Sequence, residues 1–396
     1  MRTPLSGLVV VAVEQAVAAP LATRQLADLG ARVIKVERPG GDFARGYDGT
    51  VNGLSSHFVW LNQGKESIEL DIAAPAGRRV LDALVDRADV VVQNLAPATA
   101  RRHGLAAATL ARRYPRLVAC DISGYGPGGP YSDRKAYDLL IQGETGVVSI
   151  TGGPDAPAKA GIPVADIAAG MYAFSGVLAA LFERERTGAG QAVEVSMLDA
   201  LGEWMGYPYF YSRYGGSDPP RAGAAHATIA PYGPVATASG QVVNVAVQND
   251  REWVAFCEVV LRRPELAGDA RFATNTARVT HRDELDTAVR DVFGALAFEE
   301  AERRLADAGV AYAQQRTMAG FAAHPQLAAR QRWRPVDTEN GRVMGLLPAL
   351  VTDGTPNRVP AVGEHTAAIL DWLAIGRTSE PGVPDRVEDG RGTWRG

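Results

Sequence analysis

Asp166 stands three residues after Pro163, at the head of an uncharged stretch running from Ile167 to Phe182. Proline suits the first turn of a helix, because its φ is already helical and its missing N–H is not needed there. A carboxylate in that turn lies at the positive end of the helix dipole, which favours its ionised form. An ionised carboxylate can attack an activated carbonyl as a nucleophile. On spacing alone it can equally be half of a charge pair at a helix N-terminus. Tyr137-Asp138 places a phenol beside a second carboxylate, and a phenol with an ordinary pKa of about 10 is a poor base at neutral pH. Arg38 falls just after the strand-like run Arg32–Val36. That is the C-terminal edge of a strand, where nucleotides commonly dock, although a lone arginine there is more often solvated charge.

Several familiar signatures fail. The turn after the first apolar run reads Glu14-Gln15-Ala16-Val17-Ala18-Ala19-Pro20, with no glycine, so it is not a dinucleotide fingerprint. Gly64-Lys65-Glu66-Ser67 is not a phosphate loop, because Val59 holds the upstream glycine position and Glu66 replaces Ser or Thr. Gly124–Pro130 is glycine-rich, but its two prolines argue against a helix behind it, and it reads as a structural loop. The six histidines are scattered, and two cysteines, Cys120 and Cys257, are too few for a disulfide framework or a cysteine-rich metal site. They suit a reducing cytoplasm. A net charge of −4 gives no cationic excess for gripping nucleic acid.

The elements that must position these residues alternate. Leu8–Val13, Arg32–Val36, Val90–Val92, Leu117–Ile122 and Gln191–Ser196 read as strands. Between them lie helices opened by Pro20 and closed by Gly30, started by Pro75, and introduced by Pro163 and stopped at Thr187-Gly188. This rhythm implies an α/β fold with a doubly wound, largely parallel, Rossmann-like sheet. Residues 1–205 are expected to form this large domain, 206–225 a linker, and 226–324 a smaller α/β domain. Residues of about 325–376 return to complete the first domain, and 377–396, rich in Gly, Pro and charge, read as a disordered tail. The aromatic cluster Trp204–Tyr214 either lines an acyl pocket or packs the linker. Leu8–Val13 is too short for a signal-peptide core, and Ile167–Phe182 is too short to span a bilayer; the latter reads as a buried helix.

Longer runs carry a resemblance. Ala18-Ala19-Pro20, Leu26 through Asp42 (LADLGARVIKVERPGGD), Asn62 through Asp71, Ala88 through Asn94, Ser123-Gly124-Tyr125-Gly126, Tyr137 through Gly143, Pro163 through Gly170, Thr187 through Gln191, Pro231-Tyr232-Gly233 and Gly363-Glu364-His365-Thr366 occur in this order. Together they resemble the class III coenzyme A transferases, the formyl-CoA and carnitine-CoA transferase group, also called CaiB/BaiF. The resemblance implies a Rossmann-like large domain, a smaller α/β domain and an interlocked homodimer. It implies an acyl-CoA and a small carboxylate as substrates, with no permanently bound cofactor and no metal. Asp166 matches the family nucleophile, which passes through a mixed anhydride and an aspartyl-CoA thioester. The resemblance implies that Tyr137 and Asp138 are catalytic residues alongside it. Val17, Ala18, Arg38, Leu70, Asn94, Leu95, Arg102 and Lys135 match positions that contact coenzyme A.

The α-methylacyl-CoA racemases share this fold but carry a His-Asp pair where this chain has Tyr137-Asp138, so a racemase or epimerase is the second reading. A non-catalytic CoA-binding protein is the third. The chain also departs from the formyl-CoA transferase pattern. It lacks a counterpart to the glycine-rich active-site loop, carries Val17 where that pattern has glutamine, and shortens the helix after His365. The resemblance therefore implies the reaction class without formate or oxalate specificity.

Overall fold

The computed structural model describes residues 3–351 and 358–375; the expected tail at 377–396 lies outside them. Six strands form the central sheet: β1 (Val9–Val13), β2 (Arg32–Glu37), β3 (Lys65–Glu69), β4 (Val90–Gln93), β5 (Val118–Ser123) and β6 (Ala192–Ser196). Their order is β3-β2-β1-β4-β5-β6, and every neighbouring pair is parallel. The order reverses between β1 and β4, and the crevice beyond the strands' C-terminal ends at such a switch point is where ligands settle in doubly wound sheets.

β1 and β4 are continuous apolar runs because both faces of the sheet are covered. On one face α1 (Ala18–Asp28) packs with the 24-residue helix Val164–Thr187 around Leu26, Val92, Ala169 and Val177. On the other, α2 (Pro75–Asp86) buries Val80, Leu81 and Leu84 against Val11, Ile34 and Val91. The short helix Thr366–Leu373 joins that face through Ile369, Leu370 and Leu373. Long and apolar as it is, the Val164–Thr187 helix has half of its most hydrophobic window inside the fold.

A second unit has three antiparallel strands, Tyr232–Ala236, Val242–Ala246 and Ala311–Gln314, with its own core around Trp253, Phe256, Phe272 and Phe293. The hairpin formed by Trp333–Thr338 and Gly341–Leu346 then returns to the large unit, where Val336 packs with Phe58, Val59 and Val359.

Two local expectations differ from what is found. β3 is not among the expected strands; in the fold Lys65 and Ser67 point into a buried ion network. The stretch expected as linker begins with a helix, Gly206–Gly215, in which Pro208 occupies the first turn and Gly216 ends it at φ +80°. Its aromatic side chains Tyr207, Tyr209, Phe210 and Tyr214 are exposed.

Candidate active site

The turn from β1 into α1 occupies the switch point, and two side chains clamp it. Asn94, at the end of β4, accepts the Gln15 N–H at 2.9 Å and donates to the Gln15 carbonyl at 2.8 Å. Asp42 accepts the Ala16 N–H at 3.3 Å. Ala16 adopts φ +63°, which is unusual for a residue with a Cβ. α1 begins immediately afterwards, with Val17 as N-cap and no side chain capping it. The amides at the head of a helix have no acceptor within it, and in α1 these include those of Val17 and Ala18.

A cleft of about 130 Å³ opens beside this turn, lined by Gln15, Arg38, Leu70, Asp71 and Leu95 among others. Val17 sits behind it, packed with Leu21, Leu61 and Ile167. Val17, Ala18, Arg38, Leu70, Asn94 and Leu95, drawn from four separate segments, are thus brought together around the ends of β1, β2, β3 and β4. Arg38 is exposed, donates to the Gly41 carbonyl at 3.1 Å and lies over the Phe43 ring. Arg102 and Lys135 are exposed and line none of these walls. A neighbouring cleft of about 230 Å³ takes in Arg101 rather than Arg102, together with Gln93, Asp121 and the Gly126–Gly128 part of the glycine-rich loop.

Asp166 lies in the first turn of α4, the Val164–Thr187 helix (α3 being Asp138–Glu144). The helices α1 and α4 meet closely: a Cβ on Gly170 would come within 2.7 Å of the Ala18 carbonyl. Asp166 therefore stands one helical turn from the contact that ties its helix to the β1–α1 turn.

Asp138 governs the end of α4. One of its oxygens accepts the Ala165 N–H at 2.8 Å and lies 3.4 Å from the Asp166 amide; the other accepts from the Gln142 side chain at 2.6 Å. This reverses one electrostatic expectation. Burial, with the Asp138 charge added, pushes Asp166 up to about 7 instead of holding it low. The helix dipole is there, but its leading amides are given to Asp138 and not to Asp166. Tyr137, the residue before α3, is 59% exposed and so is open to a ligand.

Sequence reasoning missed Tyr47. Its phenol is pushed up to about 12 by partial burial and by the charges of Asp42 and Asp166, and it lies within electrostatic reach of Tyr137. Its ring meets His57 edge-on at 5.5 Å. Nothing local in the Gly46-Tyr47 step signals this; the fold alone brings it to Asp166. Also missed was the network under the turn, where Lys65 donates to Glu14 at 2.6 Å and Lys35 to Asp42 at 3.0 Å.

The Asp166 carboxylate, once ionised, can serve as the nucleophile of an acyl transfer. Comparison with known proteins agrees. The model of CoA-transferase family III matches residues 5–366, and the chain belongs to that family; it is a class III CoA transferase. It is 36% identical over 400 residues to the succinate–glutarate CoA-transferase of Agrobacterium fabrum, covering 96% of this chain and 98% of that one. It is 34% identical to the acetyl-CoA:oxalate CoA-transferase of Acetobacter aceti, over 83% of this chain and 85% of that one. A crystal structure of a CaiB/BaiF family protein from Brucella suis superposes with TM-score 0.81 at 35% identity, covering 94% of this chain and all of that one.

Proposed function

We propose that the protein moves coenzyme A from an acyl-CoA to a small dicarboxylate of the succinate or glutarate type, by way of Asp166. The observation that carries this reading is the placement of Asp166 in the first turn of α4, one helical turn from the Gly170–Ala18 contact that ties α4 to the head of α1. An Asp166 oxygen attacks the thioester carbonyl, the C–S bond breaks, and CoA leaves as thiolate. The thiolate attacks the aspartyl carbonyl carbon of the mixed anhydride, releasing the donor carboxylate and leaving an Asp166–CoA thioester. The acceptor carboxylate repeats the two steps in reverse, ending as acyl-CoA with Asp166 restored.

The amides of Val17 and Ala18 take up the oxyanion charge at each attack. Tyr137 closes the acyl side, and Asp138, with both oxygens engaged, holds the helix end in place. Arg38, Arg102 and Lys135 meet the CoA phosphates, while Leu70, Asn94 and Leu95 line its path. The dicarboxylate preference draws on the A. fabrum relative. The exposed rings of the Gly206–Gly215 helix, together with Phe182, support pairing with a second copy of the chain in an interlocked homodimer, and the two free cysteines suit the cytoplasm.

Hydroxylamine quenching tests the reading. After mixing with succinyl-CoA, a hydroxamate is expected on the peptide carrying Asp166, and Asp166→Ala is expected to abolish transfer while CoA still binds. Exchange of the α-proton of a 2-methylacyl-CoA in D₂O, without any adduct, would move the assignment to a racemase.

A further inference from the structure

Six ionisable side chains lie beneath the β1–α1 turn: Glu14, Glu37 and Asp42 against Lys35, Lys65 and Arg45. The Glu14, Glu37, Lys35 and Lys65 side chains are wholly buried, and Asp42 is 5% exposed. Each is satisfied. Glu14 accepts from Lys65 at 2.6 Å and Lys35 at 3.3 Å, and Lys65 also donates to the Pro20 carbonyl and the Asn62 side chain. Glu37 accepts from Nε and Nη2 of Arg45 and from the Asp42 backbone amide.

Buried ion pairs are poor stabilisers, since desolvation offsets most of their attraction and well-packed apolar side chains of similar volume do as well or better. A network of this size beside the turn therefore calls for another role. The member that bonds the Ala16 amide is Asp42, whose same oxygen also accepts the Ala44 N–H at 2.9 Å. Asp42 accepts the Ala16 N–H while its other oxygen is held by Lys35 at 3.0 Å. The residue so held is the one with φ +63°, a conformation that costs an alanine about 1–2 kcal/mol.

We propose that the buried Lys35–Asp42 pair is a positioning device for the transfer reaction: it holds Ala16 in the left-handed conformation and thereby aims the Val17 and Ala18 amides at the reacting carbonyl. This rests on the Asp166 acyl-transfer reading above. Asp42 acts through Ala16 and touches no reacting atom, and Lys35 fixes which way the Asp42 carboxylate faces. An apolar substitute for Asp42 would fill the space and leave the Ala16 amide unheld, although Asn94 would still hold Gln15.

The test combines removal, conservative replacement and backbone rescue. Asp42→Ala is expected to lower kcat about 30- to 100-fold, the scale of a misplaced reacting group, with KM for acyl-CoA within about threefold. Asp42→Asn, which keeps an oxygen for the Ala16 N–H, is expected to recover most of that loss. Adding Ala16→Gly to Asp42→Ala should restore kcat about fivefold or more, because glycine adopts positive φ without strain. A merely structural network would not be repaired by a glycine at position 16.

If Asp42→Ala fails to fold, Ala16→Pro gives the same information with the network intact. It forbids positive φ and removes the N–H, and kcat should collapse with KM little changed. Unchanged kcat in Asp42→Ala or Ala16→Pro, or no recovery with Ala16→Gly, overturns the proposal. If the wild type forms no aspartyl adduct, the Asp166 reading fails. The positioning claim is then judged on crystal structures, where Ala16 should leave positive φ in Asp42→Ala and keep it in Asp42→Asn; a retained positive φ in Asp42→Ala overturns it.

Discussion

Asp138 and Asp166 are joined through the end of one helix: the Asp138 carboxylate accepts the Ala165 amide at 2.8 Å and lies 3.4 Å from the amide of Asp166 itself. The capping group is therefore also the charge nearest the candidate nucleophile, and it is named with burial as a cause of the raised Asp166 pKa. Asp138→Asn keeps an oxygen for the cap and removes the charge. The midpoint of the activity–pH profile should then move to lower pH, raising activity at pH 6 relative to pH 8. An unmoved midpoint would leave burial as the whole cause. Asp138→Ala loses the cap as well and should cost about 1 kcal/mol, seen as a fall in Tm of about 2–4 °C.

The same shift sets the pH dependence of the wild type. Attack needs the carboxylate, so kcat/KM should rise with pH up to about 7 and then level, falling nearly tenfold for each unit below that. Stability runs the opposite way. Between the ordinary aspartate value of 3.8 and about 7 the folded protein holds a proton on Asp166 that the unfolded chain has released. Stability from this group is thus full below the unfolded value and is lost as pH rises through about 7. Asp166→Asn removes the titration. Its Tm should equal the wild type's near pH 4 and exceed it by a margin that widens up to pH 8, at about 2–4 °C per kcal/mol. A margin independent of pH in thermal melts would contradict the raised pKa.

What could be read beforehand follows a physical line. β1 and β4 were legible because a strand covered on both faces is apolar throughout, and that requirement is local. The helix start at Asp166 was legible because Pro163 marks it. β3 was not, since Lys65 and Glu66 look solvated until Glu14, 51 residues away, is placed against Lys65. Nor was the Asp138 cap, which links residues 27 apart across two helices. Tyr47 reaches the neighbourhood of Asp166 only through the folded arrangement, and no pattern around it says so. Periodicity reports how each element faces the core; it carries nothing about which polar side chains from different elements will meet.

Gly170 gives a prediction on packing. A Cβ there would lie 2.7 Å from the Ala18 carbonyl and 3.1 Å from the Leu21 Cβ, and the backbone oxygen cannot rotate away. Gly170→Val should force α1 and α4 apart at a cost of about 1–3 kcal/mol. Because Val17–Ala18 and Asp166 sit on the two sides of this contact, kcat should fall more than tenfold, beyond what the lost folded fraction explains. Equal losses of activity and of folded protein, by circular dichroism, would mean that the spacing of the two helices is irrelevant to the chemistry.

The three cations can be separated by changing the ligand as well as the protein. Arg38 stands at the cleft beside the β1–α1 turn, whereas Arg102 and Lys135 are exposed outside its lining. Removing a cation that touches a phosphate should raise KM for acyl-CoA about tenfold with kcat nearly unchanged, since the contact is the same in ground and transition states. The residue that meets the 3′-phosphate should show this with acyl-CoA and lose the effect with acyl-3′-dephospho-CoA, because the partner charge is already gone. Arg38→Ala, Arg102→Ala and Lys135→Ala, each measured with both donors, complete the comparison. A residue whose KM effect is the same for both donors contacts the diphosphate or only steers the ligand, and steering is distinguished by its disappearance in high salt.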